Sequence, residues 1–419
     1  MRGPDLLADD ADRHPSGHTR PTVTLGFIPL TDCAVLAVAR ELGFAAREGI
    51  DLQLVREVSW ANIRDKVAFG LLNGAQMLAG MPIAAALGVN QTPMRMLAPF
   101  CLNRNGNAIS VSQDLFAELT EPGGLEPGAV GAGRALRRVI ARRRGSGAPM
   151  LTFGMVYPFS CHNYELRYWM AASGIDPDTD VRLVVIPPPL MVDSLREGHV
   201  DGFCVGEPWN SLAVEAGYGR IIVSKAELWH HGVEKVLCVP DNWAVANAGT
   251  LAALIRALDR AAAWAEQADN RGQLAALLAG PAYLDLPEPV IVRALAGEMI
   301  VGPGQPPRKV SDFLVLHRER ANHPSVAQAL WIYAQMVRWR QVERSPGDEA
   351  IVRAVFRPDI YRAALAGEPW PLVPPGADSE LAELDPTKLF DGRPFDPAHI
   401  DAYLAEDLRS SYAGNSPNS

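Results

Sequence analysis

Cysteine is scarce in this chain of 419 residues, and the five that occur are scattered: Cys33, Cys101, Cys161, Cys204 and Cys238. An odd number of separated cysteines forms neither a disulfide framework nor the CxxC spacing of a zinc or redox site. Most of them lie in apolar runs, where we expect buried thiols. Their scarcity favours a reducing, cytoplasmic location.

Long apolar runs are also missing. No stretch reaches the roughly 18–20 apolar residues that a membrane helix needs, so we expect no membrane partner. Residues 1–21 are charged throughout and lack the apolar segment of a secretory signal. We interpret them as a disordered leader, and residues 406–419, which are rich in serine and asparagine, as a loose tail.

Several catalytic signatures are absent too. The chain has no HExxH and no GxSxG, and GAVGAG at 128–133 lacks the GxGxxG spacing. Glu207 is a single carboxylate without an evident partner. The adjacent His230 and His231 would not share one face of a helix, so we interpret them as an exposed loop rather than a metal site. We therefore expect no enzymatic activity, no cofactor and no metal.

A basic run, RALRRVIARRR, covers residues 134–144 and raises the alternative of a nucleic-acid surface. At helical spacing, Leu136, Val139 and Ile140 form an apolar stripe, and the six arginines form a solvated face. The net charge of −9 also argues against direct nucleic-acid binding. We predict a docked surface helix here.

Strand patterns and helical patterns alternate from residue 22 onwards, which predicts an α/β fold with parallel sheets. A chain of this length exceeds one compact core, so we expect two lobes. The first lobe is predicted to contain residues 22–107 and 240–405, including a helical C-terminal part. Residues 108–239 are predicted to form the second lobe.

Three predicted helices begin directly after a strand, at Thr31-Asp32, at Ser59-Trp60 and near His162. Helix N-termini carry unpaired N–H groups and a partial positive charge, so they attract anions. If both lobes direct such termini at one cleft, the cleft favours a small anion. The alternative is that these termini are capped only by their own side chains.

Four residues are candidate ligands for such an anion: Trp60, Asn107, His162 and Lys235. Each also has a structural interpretation. Trp60 can cover a neighbouring loop, Asn107 can stabilise a turn, His162 can be an ordinary satisfied histidine, and Lys235 can be solvated. We place His162 at the exposed start of its helix.

Six motifs resemble the nitrate/bicarbonate solute-binding proteins of the NrtA/CmpA type, over about residues 22–405. The motifs are FIPLTDCA (Phe27–Ala34), SWANIR (Ser59–Arg64), NGNA (Asn105–Ala108), HNYELRYWMAA (His162–Ala172), GFCVGEPWN (Gly202–Asn210) and FDGRPF (Phe390–Phe395). The resemblance implies the type II periplasmic-binding-protein fold, with the ligand held in a cleft between two α/β lobes.

The resemblance also implies the anion ligands. The family's tryptophan, histidine and lysine correspond to Trp60, His162 and Lys235, and its glutamine corresponds to Asn107, which is one methylene shorter. Such a pocket offers only hydrogen-bond donors, which suits nitrate or nitrite because these anions only accept. Bicarbonate also donates an O–H, and Lys235 stands where its binders have a carboxylate.

The absence of an export signal leads us to expect a cytoplasmic sensor of the NasS type. In that family such sensors restrain an RNA-binding antiterminator of the NasT type until nitrate or nitrite arrives. The alternative is the substrate-binding component of a nitrate ABC transporter.

Overall fold

The structure is a computed structural model that describes residues 20–121, 124–369, 389–406 and 408. Nearly all of the predicted leader and tail lies outside these residues. The strands of the described part are β1 (Thr22–Phe27), β2 (Asp51–Arg56), β3 (Gly74–Leu78), β4 (Met96–Asn105), β5 (Asn107–Ser112), β6 (Thr152–Met155), β7 (Arg182–Val185), β8 (Gly202–Gly206), β9 (Gly219–Ser224), β10 (Val233–Pro240), β11 (Glu298–Met299), β12 (Arg308–Lys309) and β13 (Leu314–Val315).

Helices follow most of these strands. They are α1 (Ala34–Glu41), α2 (Phe44–Arg47), α3 (Trp60–Ala68), α4 (Gly80–Ala86), α5 (Gln113–Thr120), α6 (Gly128–Ser146), α7 (Cys161–Ala172), α8 (Met191–Arg196), α9 (Trp209–Glu215), α10 (Lys225–Leu228), α11 (Asp241–Ala246), α12 (Ala248–Glu266), α13 (Arg271–Ala279), α14 (Glu288–Ala296), α15 (Val326–Arg338), α16 (Asp348–Val355), α17 (Pro358–Ala366) and α18 (Ile400–Ala405). None of them combines the length and the apolar character that crossing a membrane requires.

Two sheets form the centres of the two predicted lobes. The first has the order β13-β4-β10-β3-β1-β2 and the second has the order β7-β6-β8-β5-β9. The prediction of parallel sheets is only partly correct, because β10 runs antiparallel to β3 and β4, and β5 runs antiparallel to β8 and β9. Both are the first strand after the chain has passed from one sheet to the other, so each enters its new sheet from the side of the cleft.

Within the described residues, the chain passes between the sheets twice. The first crossover is Gly106, between β4 and β5, where Asn105 and Gly106 both have positive φ. The second lies between β9 and β10. Because β10 pairs with β3 and β4, residues 233–239 belong to the first lobe, and the predicted boundary at residue 240 is about seven residues too late. Residue 107 opens the second sheet rather than closing the first lobe.

The two lobes are packed closely against each other. Thr31 donates its backbone N–H to Glu207 O across the interface (2.8 Å), and the Trp209 indole donates to Pro29 O (3.2 Å). A Cβ atom on Gly80 would stand 2.5 Å from Phe159 O, so a glycine permits this close approach. The carboxyl ends of β1 and β2 and the start of α7 therefore meet at the interface between the lobes, as the alternation pattern predicted.

The basic run lies on α6. Leu136, Val139 and Ile140 are buried, which confirms the predicted apolar stripe. Near the C-terminal end of the helix, Arg143 pairs with Glu118 (2.5 Å) and Arg144 pairs with Asp180. These arginines thus have carboxylate partners on neighbouring elements.

Candidate functional site

Two capped helices place Trp60 and His162 at the interface between the lobes. The Ser59 hydroxyl accepts the N–H of Asn62 at the start of α3, and the Ser160 hydroxyl accepts the N–H of Asn163 at the start of α7. These N-caps fix the first turn of each helix. Trp60 is therefore the first residue of α3, and His162 is the second residue of α7.

Strand β10 contributes two neighbouring side chains to the same place. Successive residues of a regular strand point to opposite faces, so Glu234 and Lys235 are not expected to meet one partner. The pairing of β10 with β4 is irregular on either side of Lys235. Within this irregular stretch, Lys235 Nζ lies 2.8 Å from Glu234 Oε1, and both side chains reach the interlobe space.

The Glu234 carboxylate is the centre of the site. Its Oε1 accepts from Lys235 and lies 3.2 Å from His162 Nε2. Its Oε2 accepts from Lys225 Nζ at 2.5 Å and from Asn107 Nδ2 at 3.1 Å. Since Glu234 belongs to the first lobe and Asn107, His162 and Lys225 belong to the second, one carboxylate connects the two lobes.

Further ion pairs extend this group. Lys235 Nζ is 2.8 Å from Asp32 Oδ2, and Lys225 Nζ is 2.7 Å from Glu165 Oε1. Lys235 also lies over the ring of Trp60, with Nζ 5.6 Å from the centroid. The eight residues that share these contacts, called the interlobe cluster below, are Asp32, Trp60, Asn107, His162, Glu165, Lys225, Glu234 and Lys235.

The structure brings all four predicted ligands together in the interlobe cluster. Two details of the prediction are wrong. His162 is fully buried instead of lying at an exposed helix start, because the first lobe covers the beginning of α7. The lining also contains acceptors as well as donors, namely the carboxylates of Asp32, Glu165 and Glu234. Two buried lysines need counter-ions, since an unpaired buried charge is costly.

The protonation states follow from burial and neighbouring charge. Burial lowers the pKa of His162 to about 3, so its imidazole is neutral. Burial, together with the nearby Glu234, raises the pKa of Glu165 to about 7.

The central carboxylate of Glu234 behaves differently from Glu165. Burial by itself would raise its pKa, but the charged ammonium groups of Lys225 and Lys235 lower it instead. The lysines remain charged, because their carboxylate partners raise the pKa of each against the opposing effect of burial. Burial also raises the pKa of Asp32, against the opposing effect of Lys235. Asp32 and Glu165 are therefore the carboxyls of the cluster at which a proton can be taken up.

Two donors in the cluster are not used by the protein. The indole N–H of Trp60 is buried and has no hydrogen-bond partner among the described residues. The same holds for both ring nitrogens of His162, whose Nε2 is close to Glu234 but not aligned for a hydrogen bond. Unsatisfied buried polar groups are rare in native proteins. These two groups are therefore available to a bound acceptor.

Sequence reasoning missed half of the cluster: Asp32, Glu165, Lys225 and Glu234. The sequence spacing could have predicted Glu165, because this residue lies three residues after His162 and thus on the same face of α7. Asp32 belongs to the predicted helix start at Thr31-Asp32, which follows β1. Lys225 and Glu234 depend on the second crossover and on the irregular pairing of β10, for which the sequence carries no local signal.

The cluster is poorly suited to hold a metal ion. Ligand atoms of Cys161, Glu165 and Glu234 lie within 4.8 Å of one another. Burial raises the pKa of the Cys161 thiol well above its usual range, so the sulfur is protonated, while metals bind the thiolate. Both carboxylates are also already paired with Lys225.

Two α/β lobes that enclose a buried polar cluster define the chain as a binding protein of the type II periplasmic-binding-protein fold. The structure of the periplasmic nitrate-binding protein NrtA from Synechocystis matches it with a TM-score of 0.82 and 28% identity, covering 92% of this chain and 98% of that one. The model of the NMT1-like family matches residues 16–279.

Curated relatives agree with this assignment. The nitrate/nitrite binding protein NrtA of Synechococcus elongatus is 33% identical over 390 residues, which are 91% of this chain and 85% of that protein. The nitrate import ATP-binding protein NrtC of Synechocystis sp. is 37% identical over 91% of this chain, which spans about half (54%) of that longer relative. The chain belongs to the NMT1-like family and to its nitrate/bicarbonate solute-binding proteins. These relatives confirm the predicted fold and the expectation of a binding protein rather than an enzyme.

The ion pairs of Lys225 make a testable contribution to stability. Lys225→Met leaves two buried carboxylates without their cation, which we expect to lower the free energy of unfolding by about 3–5 kcal/mol. The matched variant Arg196→Met breaks the exposed pairs with Asp193 and Glu197 and should hardly change the free energy of unfolding. Urea denaturation of both variants measures the difference, and equal losses would contradict a structural role for the buried pairs.

Proposed function

We propose that this protein binds nitrate or nitrite in the interlobe cluster, with Trp60, Asn107, His162 and Lys235 as ligands. The observation that carries this function is the pair of unused buried donors, Trp60 and His162, on opposite sides of the interface beside a charged lysine. Nitrate and nitrite are small planar anions that accept hydrogen bonds and do not donate them. The names of the NrtA relatives support the same ligands.

Glu234 has a specific part in this proposal. Its carboxylate is planar and anionic, and it accepts hydrogen bonds from Lys235 and Asn107. These are the donors that a bound anion needs. A ligand that enters the cluster therefore competes with Glu234 for these donors. When the lobes separate, Glu234 moves away from Lys225 and Asn107 of the second lobe, so opening frees the donors and closure onto the anion uses them again.

Bicarbonate is the second candidate ligand, and the carboxylates of the cluster favour it. The bicarbonate O–H needs an acceptor, which Asp32, Glu165 or Glu234 can supply. Lys235 supports nitrate or nitrite instead, because a hydrogen-bond donor at this position suits an anion that only accepts hydrogen bonds.

The ligand and its contacts are tested together by calorimetry with nitrate, nitrite, bicarbonate and sulfate. We expect nitrate or nitrite to bind most tightly. Trp60→Phe keeps the ring and removes only the unused N–H. A hydrogen bond to a charged group contributes about 1.5–3 kcal/mol, so the affinity should fall by about tenfold or more while stability hardly changes.

Trp339→Phe is the matched control for Trp60→Phe. Its indole N–H also lacks a partner among the described residues, but the ring stacks with Arg167 away from the cluster. Nitrate affinity should stay unchanged in this control. Binding of bicarbonate alone, or full nitrate affinity in Trp60→Phe, would contradict the proposed function.

The affinity for an anion should depend on pH through Glu165. Below its pKa of about 7 this carboxyl is neutral, and above it the carboxylate adds a negative charge beside the ligand. Nitrate affinity should therefore fall between about pH 6 and about pH 8, by at most about tenfold per unit. Glu165→Gln should weaken this dependence, and a wild-type affinity that does not change with pH would contradict the role of Glu165.

The proposal also concerns the biological role of anion binding. The named relatives act in nitrate import or nitrate binding, which supports a receptor for an ABC transporter. The predicted cytoplasmic sensor remains a second hypothesis, and it requires an RNA-binding antiterminator of the NasT type as partner. Neither role needs the protein itself to bind RNA or a membrane.

Co-purification with such an antiterminator separates the two roles. A sensor should hold the partner without nitrate and release it when nitrate is added, because ligand and partner favour different states of the lobes. A transport receptor should show no association under either condition. Stable association with the antiterminator that nitrate does not change would contradict the sensor role as stated.

A further inference from the structure

A second polar site lies on the crossover between the lobes, outside the interlobe cluster. His230 and His231 follow α10 in the turn that leads to β10, and Asp312 lies just before β13. The two imidazole rings are stacked, with centroids 4.2 Å apart and planes 12° apart. Although the two histidines are neighbours in sequence, their rings do not point apart, because the turn places them side by side.

The Nε2 atoms of both rings lie near the same carboxylate oxygen. His230 Nε2 lies 3.4 Å and His231 Nε2 lies 3.7 Å from Asp312 Oδ2. Hydrogen bonds of this type are shorter, about 2.7–3.2 Å. With metal–ligand bonds of about 2.0–2.1 Å, two ligand atoms of a tetrahedral zinc ion stand about 3.3 Å apart. Both distances from Asp312 Oδ2 are thus close to the spacing of zinc ligands. An imidazole binds a metal in its own ring plane, so the half-exposed His230 ring must turn out of the stack to share an ion with His231.

Neighbouring groups orient this triad. His231 Nδ1 lies 3.1 Å from Glu319 Oε2, so the carboxylate favours the proton on Nδ1 and leaves Nε2 unprotonated beside Asp312. Histidines that bind metals commonly donate their second nitrogen to a carboxylate in this way. The other oxygen of Asp312 pairs with Arg318 Nη2 at 3.1 Å, which leaves Oδ2 for the triad.

The backbone of the triad is also fixed. The His231 carbonyl accepts from Arg104 Nη1 (3.0 Å) and from Gln328 Nε2 (3.1 Å). His231 Nε2 is buried without a hydrogen-bond partner among the described residues. The His230 side chain is about half exposed, which gives an ion and a water ligand access from solvent.

We propose that His230, His231 and Asp312 bind a divalent transition-metal ion of the zinc type, with solvent as the fourth ligand. Two imidazoles and one carboxylate form a ligand set that suits zinc, whereas magnesium and calcium prefer oxygen ligands. The site is separate from the anion site. It fastens the loop before β13 to the crossover that carries Lys225 at one end and Lys235 at the other.

Calorimetry with zinc alone, on the full chain and without nitrate, tests the proposal. The wild type should bind one zinc ion that His230→Gln/His231→Gln binds about tenfold or more weakly. Magnesium should not bind at this site. Because no anion is present, the outcome does not depend on the proposed function.

The matched control is His199→Gln/His399→Gln, which removes two exposed histidines that each lie beside a carboxylate. It should keep the wild-type zinc affinity. Asp312→Asn keeps the shape of the loop and should also weaken zinc binding, so the proposal stays testable if the histidine variant does not fold. Zinc affinity that is the same in the wild type and in Asp312→Asn, or that falls equally in the control, would overturn the proposal.

Discussion

The Glu234 carboxylate is the contact on which the closed arrangement of the two lobes depends. It comes from the first sheet and reaches Lys225, Asn107 and His162 of the second lobe, while it also neutralises Lys235 beside it. Buried charges are tolerated only when they are paired. The same requirement makes the cluster responsive, because an anion that replaces this carboxylate satisfies the same donors and alters the contact between the lobes.

This arrangement explains why a site for an anion contains three carboxylates. Donors alone would leave two ammonium groups without counter-ions inside the protein. With Asp32, Glu165 and Glu234 present, the charge of the cluster is close to balanced, and Glu165 has a pKa of about 7 with which to adjust it. A purely structural ion network would use all of its donors. The protein leaves the donors of Trp60 and His162 unused, which is typical of a ligand site.

Much of the fold follows from local patterns in the sequence. The alternation of strands and helices, the helix start at Ser59-Trp60, and the apolar stripe of α6 are short-range signals, and the structure confirms them. The reversed direction of β5 and β10 is not visible locally, because it depends on where the chain changes sheets. Likewise, the meeting of Glu234 with Lys235 depends on irregular pairing with β4, and the stacking of His230 on His231 depends on a turn with positive φ at His231.

A crystal structure of the nitrate complex tests the central claim most directly. The account predicts a nitrate ion within hydrogen-bonding distance of Trp60 Nε1, His162 and Lys235 Nζ, with the Glu234 carboxylate withdrawn from at least one of its present donors. Nitrate bound elsewhere, with all four contacts of Glu234 intact, would contradict it.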